Sequence, residues 1–122
     1  MKPVNHIKID KTLTVNELVK RMDSIGVLGA GRLGKAVNIC EDMIKDKNCK
    51  VFLGLAGPLV PGGMREIIIG MIENKWVDVV VTTGATLTHD LGEALGYRHY
   101  QGDKDADDAE LHKKGLDRVY ES

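Results

Sequence analysis

The stretch KVFLGLAGPLVPGGMREIIIGMIENKWVDVVVT, residues 50–82, decides the fold. Residues 50–55 are short, apolar and partly β-branched or aromatic, and read as a buried strand. The glycines and prolines of AGPLVPGG, residues 56–63, rule out a regular element there. Residues 64–74 then predict a helix. Its centre, Ile67-Ile68-Ile69, is apolar nearly all round, which implies burial on more than one side. Residues 77–82, VDVVVT, read as a second buried strand, apolar on both faces except at Asp78. Two apolar strands joined through a helix make a βαβ unit with a right-handed crossover and parallel strands. The expected fold is α/β: a three-layer, Rossmann-like parallel sheet of three or more strands with helices on both faces.

On the amino-terminal side, Thr14-Val15-Asn16-Glu17 has the form of a capping box, and Val15, Leu18, Val19 and Met22 follow at helical spacing. A first helix is expected over residues 15–22. Residues 24–34 are glycine-rich. Leu33, Ala36, Val37, Cys40 and Ile44 then mark one face of a second helix ending near Asp46. On the carboxyl side, Thr83-Gly84-Ala85-Thr86 reads as a loop. Leu87, Leu91, Ala94 and Leu95 mark a short helix closed by Gly96, and residues 97–100 an extended piece. Asp107 caps a last helix from Glu110, which Leu116 and the residues up to Tyr120 could continue. The 122 residues are read as a single α/β domain.

Composition narrows the function. The formal net charge is -1, charges are mixed along the chain, and aromatics are only 4%. There is no basic stripe and no stacking platform, which argues against nucleic acid. Cys40 and Cys49 have neither metal nor redox spacing, and Cys40 reads as a buried free thiol. No apolar run is long enough to span a bilayer, so no membrane partner is expected. The first ten residues, with Lys2, Asn5, His6 and Asp10, lack the apolar core of a signal peptide, so the cytoplasm is the expected location.

A βαβ unit places the two glycine-bearing segments together. Both 56–63 and 83–86 leave the carboxyl ends of their strands, and so lie on one edge of the sheet. Each feeds a helix amino terminus, where free N–H groups and the helix dipole favour anions. Ligands of open α/β sheets sit in that crevice. Two readings stand at this point: a nucleotide site built from the two loops, or ordinary connecting turns.

Other signals are weaker. Gly29-Ala30-Gly31-Arg32-Leu33-Gly34 spells the dinucleotide fingerprint. However, its candidate first strand, residues 25–28, is very short, and the next strand ends in Leu55-Ala56 with no acid for a ribose. A glycine-rich lead-in to the second helix is the preferred reading. Asp103-Lys104-Asp105-Ala106-Asp107-Asp108 opens like a calcium loop but has Asp108 and Lys114 where glycine and glutamate are required, so no metal site is assigned. His89 is placed in the first turn of its helix, where the dipole favours neutral imidazole and a bound ligand is within reach. His99 and His112 have no evident metal partners.

Phe52-Leu53-Gly54, Gly63-Met64-Arg65-Glu66, the run from Val77 to Thr83, Thr88-His89-Asp90-Leu91, His99-Tyr100-Gln101-Gly102 and Asp107-Asp108-Ala109-Glu110-Leu111-His112 together resemble the deoxyhypusine synthase family. Leu33-Gly34-Lys35-Ala36 fits the family's early helix. The Thr-His-Asp-Leu and His-Tyr forms are similar to the archaeal branch and its bacterial relatives, and the likeness is to the amino-terminal portion only. The resemblance implies a transferase that uses NAD and a polyamine. NAD takes hydride from spermidine, the aminobutyl group passes through an enzyme lysine to one lysine of the translation factor 5A precursor, and the cofactor returns the hydride. Relatives of this type can serve small amines instead, giving homospermidine-like products.

By the same resemblance, the first cofactor loop falls on Gly57, Pro58, Leu59, Val60 and Pro61, and the second on Thr83, Gly84 and Ala85. The polyamine pair falls on Thr88 and His89, with His89 also near the cofactor. These loops coincide with those singled out by topology. The family's polar first loop and acidic pair are replaced here by Gly57-Pro58, Pro61 and Thr88-His89, although a polyamine needs carboxylates or aromatics. None of Lys104, Lys113 or Lys114 matches the nucleophilic lysine, which belongs to a carboxyl portion of the longer family members. No catalytic residue is therefore assigned, and whether the chain alone is an enzyme stays open. Uncovered apolar strands would call for a homo-oligomer or a carboxyl-half partner chain. A non-catalytic subunit pairing with a complete synthase is the alternative.

Overall fold

A computed structural model describes residues 2–119. The chain divides into two compact units after Cys49.

The first unit is a helical hairpin. Helix α1 spans Val15–Ile25 and helix α2 spans Leu28–Lys45. The capping box forms as the sequence requires: Glu17 N donates to Thr14 Oγ1 at 3.2 Å, and Thr14 N donates to Glu17 Oε2 at 2.9 Å. The helix runs past Met22 to Ile25 and stops at Gly26, whose φ of 71° belongs to the left-handed region that glycine adopts without strain. Arg21 ties back the preceding segment, donating to the carbonyl of Lys8 and lying 3.9 Å from Asp10.

The GAGRLG motif has a different explanation from either sequence reading. It forms neither a strand-to-helix turn nor a lead-in, because α2 already starts at Leu28 and holds all three glycines. Gly31 and Gly34 are buried on one face of the helix. A Cβ on Gly31 would lie 2.5 Å from the carbonyl carbon of Gly26, and one on Gly34 would lie 2.4 Å from Asp23 Cα. The spacing of three residues puts both on the side facing α1, where only a bare backbone fits. Cys40 is exposed, against the expectation of a buried thiol. The face predicted from Leu33, Val37 and Ile44 is largely open too, because the contact with α1 runs along the glycine side instead.

The second unit holds the expected βαβ motif in reduced form. Strand β1 is Phe52–Gly54, helix α3 is Arg65–Glu73 and strand β2 is Val79–Val81. The strands pair in parallel, with Phe52 against Val79 and Gly54 against Val81. Among the described residues the sheet has two strands, not three or more. The strands are also not buried: Phe52 is 66% exposed and Val81 57%. The helix expected to be covered on several sides leaves Ile67 and Ile72 in the open. These apolar runs do signal sheet and helix, but two strands and their crossover helix cannot enclose them.

A polar latch fixes the register at the other edge. Asp78 accepts from Val51 N at 3.0 Å and from Lys50 Nζ at 2.8 Å, while its own amide donates to Val51 O at 2.9 Å. The hydrogen bond to Lys50, then that from Val51, holds the Asp78 carboxyl below its ordinary pKa.

Helix α4 spans Gly84–Ala94 and helix α5 Asp108–Lys113. Asp107 caps α5 as read, accepting from Ala109 N at 2.8 Å. Leu95 caps α4, while Gly96, with φ 96°, turns the chain just beyond. Residues 97–100 form no strand. Gly115, with φ 76°, ends the last helix, so residues 116–119 do not continue it; Tyr120 lies outside the described residues.

Gly34→Ala is expected to destabilise the helical hairpin by roughly 1–3 kcal/mol, the usual cost of an added methyl in a filled contact. Gly29→Ala, whose Cβ would meet nothing within 4 Å, should be neutral or better. Chemical denaturation followed by circular dichroism separates the two, and equal midpoints would contradict the packing account. Asp78 has a folded pKa below its unfolded value, so its contribution is present above about pH 4 and is lost as pH falls through the folded pKa. The destabilisation caused by Asp78→Asn should therefore shrink on acidification; a gap that does not change with pH would contradict the latch.

Candidate functional site

The parallel pairing sends both strands toward one edge, and there the two glycine-bearing segments meet. Leu55 N donates to Val81 O at 2.9 Å, extending the ladder to the point where the first segment begins. That segment is more ordered than its composition suggests. Gly57–Leu59 form a 3₁₀ turn and Val60–Met64 a wider turn, broken at Gly63 with φ 86°. Two prolines supply the preset φ that helical turns need, so here they wind the chain rather than loosen it.

The second segment is shorter than predicted. Thr83 is extended and helix α4 begins at Gly84, so Gly84, Ala85 and Thr86 form its first turn. His89 consequently falls in the second turn and not the first. Thr83 makes no side-chain cap, which leaves the opening N–H groups of α4 without a side-chain acceptor.

The two segments are in contact. A Cβ on Gly57 would lie 3.2 Å from Ala85 Cβ and 3.2 Å from Thr83 Oγ1. Glycine thus lets the first segment come this close to the amino end of α4 without displacing either neighbour. Val60 and Thr86, at 4% and 6% exposure, are the two buried non-glycine side chains among the described residues, and both sit at this junction. Of the expected cofactor residues, Gly57, Pro58, Leu59, Val60 and Pro61 lie in the wound segment, with Thr83, Gly84 and Ala85 beside them. Neither 56–63 nor 82–85 carries a charged side chain. The available donors are backbone N–H groups and the hydroxyl of Thr83, since the Thr82 hydroxyl donates to Leu55 O at 3.5 Å. A cavity of about 140 Å³ opens beside the junction, lined by Val60, Thr82, Thr86, Arg65 and Asp90 among others.

Thr88 and His89 are placed differently from one another. Thr88 spends its hydroxyl proton on its own helix, donating to Gly84 O at 3.0 Å. His89 Nδ1 lies 3.0 Å from His99 Nε2, and His99 Nδ1 lies 2.7 Å from Glu93 Oε1. The rings meet edge to face with centroids 5.0 Å apart. From sequence, His99 has no evident metal partner and Glu93 carries no assigned role; the structure pairs the two. The signal was available only in part: Glu93 follows His89 by one helical turn, but Gly96 brings His99 back in a way no spacing rule gives.

Asp90 is engaged by Arg65, whose Nε donates at 2.7 Å, with Glu66 at 3.1 Å from the same guanidinium and Glu93 at 3.8 Å. The bond to Asp90 pushes the Arg65 pKa further up. This cluster ties the start of α3 to α4 and occupies the carboxylate nearest Thr88 and His89 in sequence.

The architecture defines the class first: a partial, Rossmann-like α/β unit whose two strand-to-helix segments converge at the carboxyl edge of a parallel sheet. The family model for deoxyhypusine synthase matches residues 17–122. A probable deoxyhypusine synthase of Methanothermobacter thermautotrophicus is 46% identical over 116 residues, covering 95% of this chain and 38% of the relative. One from Methanosarcina thermophila is 44% identical over 119 residues, covering 98% and 37%. A deoxyhypusine synthase-like protein of Chlorobaculum parvum is 40% identical over 121 residues, covering 98% and 34%. The chain belongs to the deoxyhypusine synthase family and corresponds to an amino-terminal portion of it. It spans a little over a third of the length of the first two relatives, 38% and 37%.

Gly57→Ala is expected to cost about 1 kcal/mol of stability by prising the two segments apart. Gly62→Ala, with nothing within 4 Å of its Cβ, should cost a few tenths at most. Thermal unfolding of both variants decides this, and equal melting temperatures would remove the close approach from the account.

Proposed function

We propose that this chain supplies the amino-terminal part of an NAD-dependent aminobutyl transferase, which moves the aminobutyl group of spermidine to a lysine of the translation factor 5A precursor. Family membership supports the reaction class, and the junction of the two segments is the observation that carries the cofactor assignment. The donor set there suits a dinucleotide: uncapped N–H groups at the amino end of an eleven-residue helix, the Thr83 hydroxyl, and a glycine whose bare backbone permits close approach. Gly57, Leu59, Val60, Thr83, Gly84 and Ala85 would hold the cofactor through backbone groups. Pro58 and Pro61 lack N–H and would only shape the turn. Bound NAD supplies the hydride acceptor that the amine substrate needs.

On this reading Thr88 and His89 face the polyamine, while Asp90 serves the fold through Arg65. The nucleophilic lysine comes from a carboxyl half, as a partner chain or a second portion of the enzyme. The open faces of β1 and β2 support such covering, since exposed apolar strands are costly in water. The expected setting is cytoplasmic. Among the described residues no helix is long and apolar enough to cross a membrane.

Calorimetric titration of NAD tests the proposal. The chain alone should bind weakly, and the chain with a carboxyl half of a family member should bind more tightly. Gly84→Val places its side chain in open space, so it should weaken NAD binding roughly tenfold, the equivalent of about 1.4 kcal/mol, without lowering the melting temperature. Gly29→Ala should change neither. A pair that binds no NAD, or an affinity lost at Gly29 and kept at Gly84, would overturn the assignment.

A further inference from the structure

The residues expected to meet a cationic amine, Thr88 and His89, carry no carboxylate, and the neighbouring Asp90 is committed to Arg65. A carboxylate nonetheless reaches His89 indirectly. Glu93 and His99 are largely sheltered, with side chains 19% and 22% exposed, and they bond in series to His89 at 2.7 and 3.0 Å. We propose that Glu93 and His99 are positioning residues that hold His89 with Nε2 as a hydrogen-bond acceptor for a protonated amine. The inference rests on the polyamine reading of Thr88 and His89 given above.

The proton positions along the three side chains follow from one another. A carboxylate only accepts, so Glu93 Oε1 takes a hydrogen bond from His99 Nδ1–H. A neutral His99 then presents Nε2 as a lone pair, and that lone pair accepts from His89 Nδ1–H. With its proton on Nδ1, His89 has an unprotonated Nε2. That atom has no partner among the described residues, yet no buried side-chain nitrogen is left unsatisfied, so Nε2 is reached by solvent. An ammonium group needs just such an acceptor, and the Glu93 charge behind the chain favours a cation in front of it. The other charged group facing Glu93 is Arg65, whose Nε lies 3.8 Å from Oε2. It occupies the second carboxylate oxygen and leaves Oε1 to His99.

Two-bond proton–nitrogen spectra of the 15N-labelled full chain at neutral pH read the tautomer of each histidine. His89 should show a protonated Nδ1 and an unprotonated Nε2. His99→Ala and Glu93→Ala should each abolish that pattern. His99→Gln should restore it, because one amide can donate to Glu93 and accept from His89; a purely structural role would not give this rescue. Spermidine should shift His89 Nε2 in the wild type. In the chain paired with a carboxyl half, His99→Ala should weaken spermidine binding roughly tenfold, as expected for one hydrogen bond to a charged group. A His89 protonated on Nε2 in the wild type, or a tautomer unchanged in His99→Ala, overturns the relay. The expected tautomer without any response to spermidine overturns the amine role. NAD titration of the pair is independent of both results, so failure of the relay and failure of the transferase reading remain distinguishable.

Discussion

The second unit depends on a single close approach. Gly57 brings the first segment against Thr83 and Ala85, where an added methyl group would be tightly pressed, and Val60 and Thr86 close the same junction. Everything else in that unit is more open. The strands are three residues long, their faces are exposed, and the crossover helix covers only part of itself. Burial is the main source of stability in a domain, so the most buried point is where the arrangement is most firmly specified. That point is also the carboxyl edge of the sheet, where a parallel α/β unit binds its ligands.

Two polar devices work with this contact. At the opposite edge, Asp78 bridges Lys50 and Val51 and so sets the register that delivers both segments to the same place. A slip of one residue would turn every strand side chain to the other face and carry the segments out of alignment. Beyond the edge, Arg65 links α3 to Asp90 and, at longer range, to Glu93. Its guanidinium bonds Asp90 and lies 3.8 Å from one oxygen of Glu93, whose other oxygen is bonded to His99. The edge proposed for the cofactor and the serial bonds between Glu93, His99 and His89 both involve α4, one through its first turn and the other through its second and third.

Local signals were legible wherever the chemistry is local. Thr14 with Glu17, Asp107 with Glu110, and the apolar strand centres all stand where sequence places them, because each requires only its near neighbours. Signals whose meaning is tertiary were misread. The glycines of GAGRLG look like a phosphate loop, but their spacing serves a helix contact that becomes visible only with α1 in place. Thr83-Gly84-Ala85-Thr86 has the composition of a loop, yet its extended Thr83 and the packing of Thr86 start a helix there. Cys40 was expected inside because its neighbours are apolar, while the covered face of α2 is the one with no side chains. The placement of the two segments on one edge follows from parallel pairing alone. Their depth of contact rests on Gly57, and the serial bonds from Glu93 to His89 follow the turn at Gly96, neither of which periodicity encodes.

The central claim is the contact between the two segments. A disulfide measures it directly, since bridging needs Cβ atoms about 3.5–4.5 Å apart. A Cβ at position 57 would stand 3.2 Å from that of Ala85, slightly closer than this window, so a small outward shift of the segments allows the bridge. The double variant Gly57→Cys with Ala85→Cys, made in a background where Cys40 and Cys49 are serine, should oxidise to a monomeric species that loses two hydrogens by mass spectrometry. Its peptides should be joined between the two positions. Free thiols persisting under oxidation in the folded chain, or bridging only between molecules, would contradict the account.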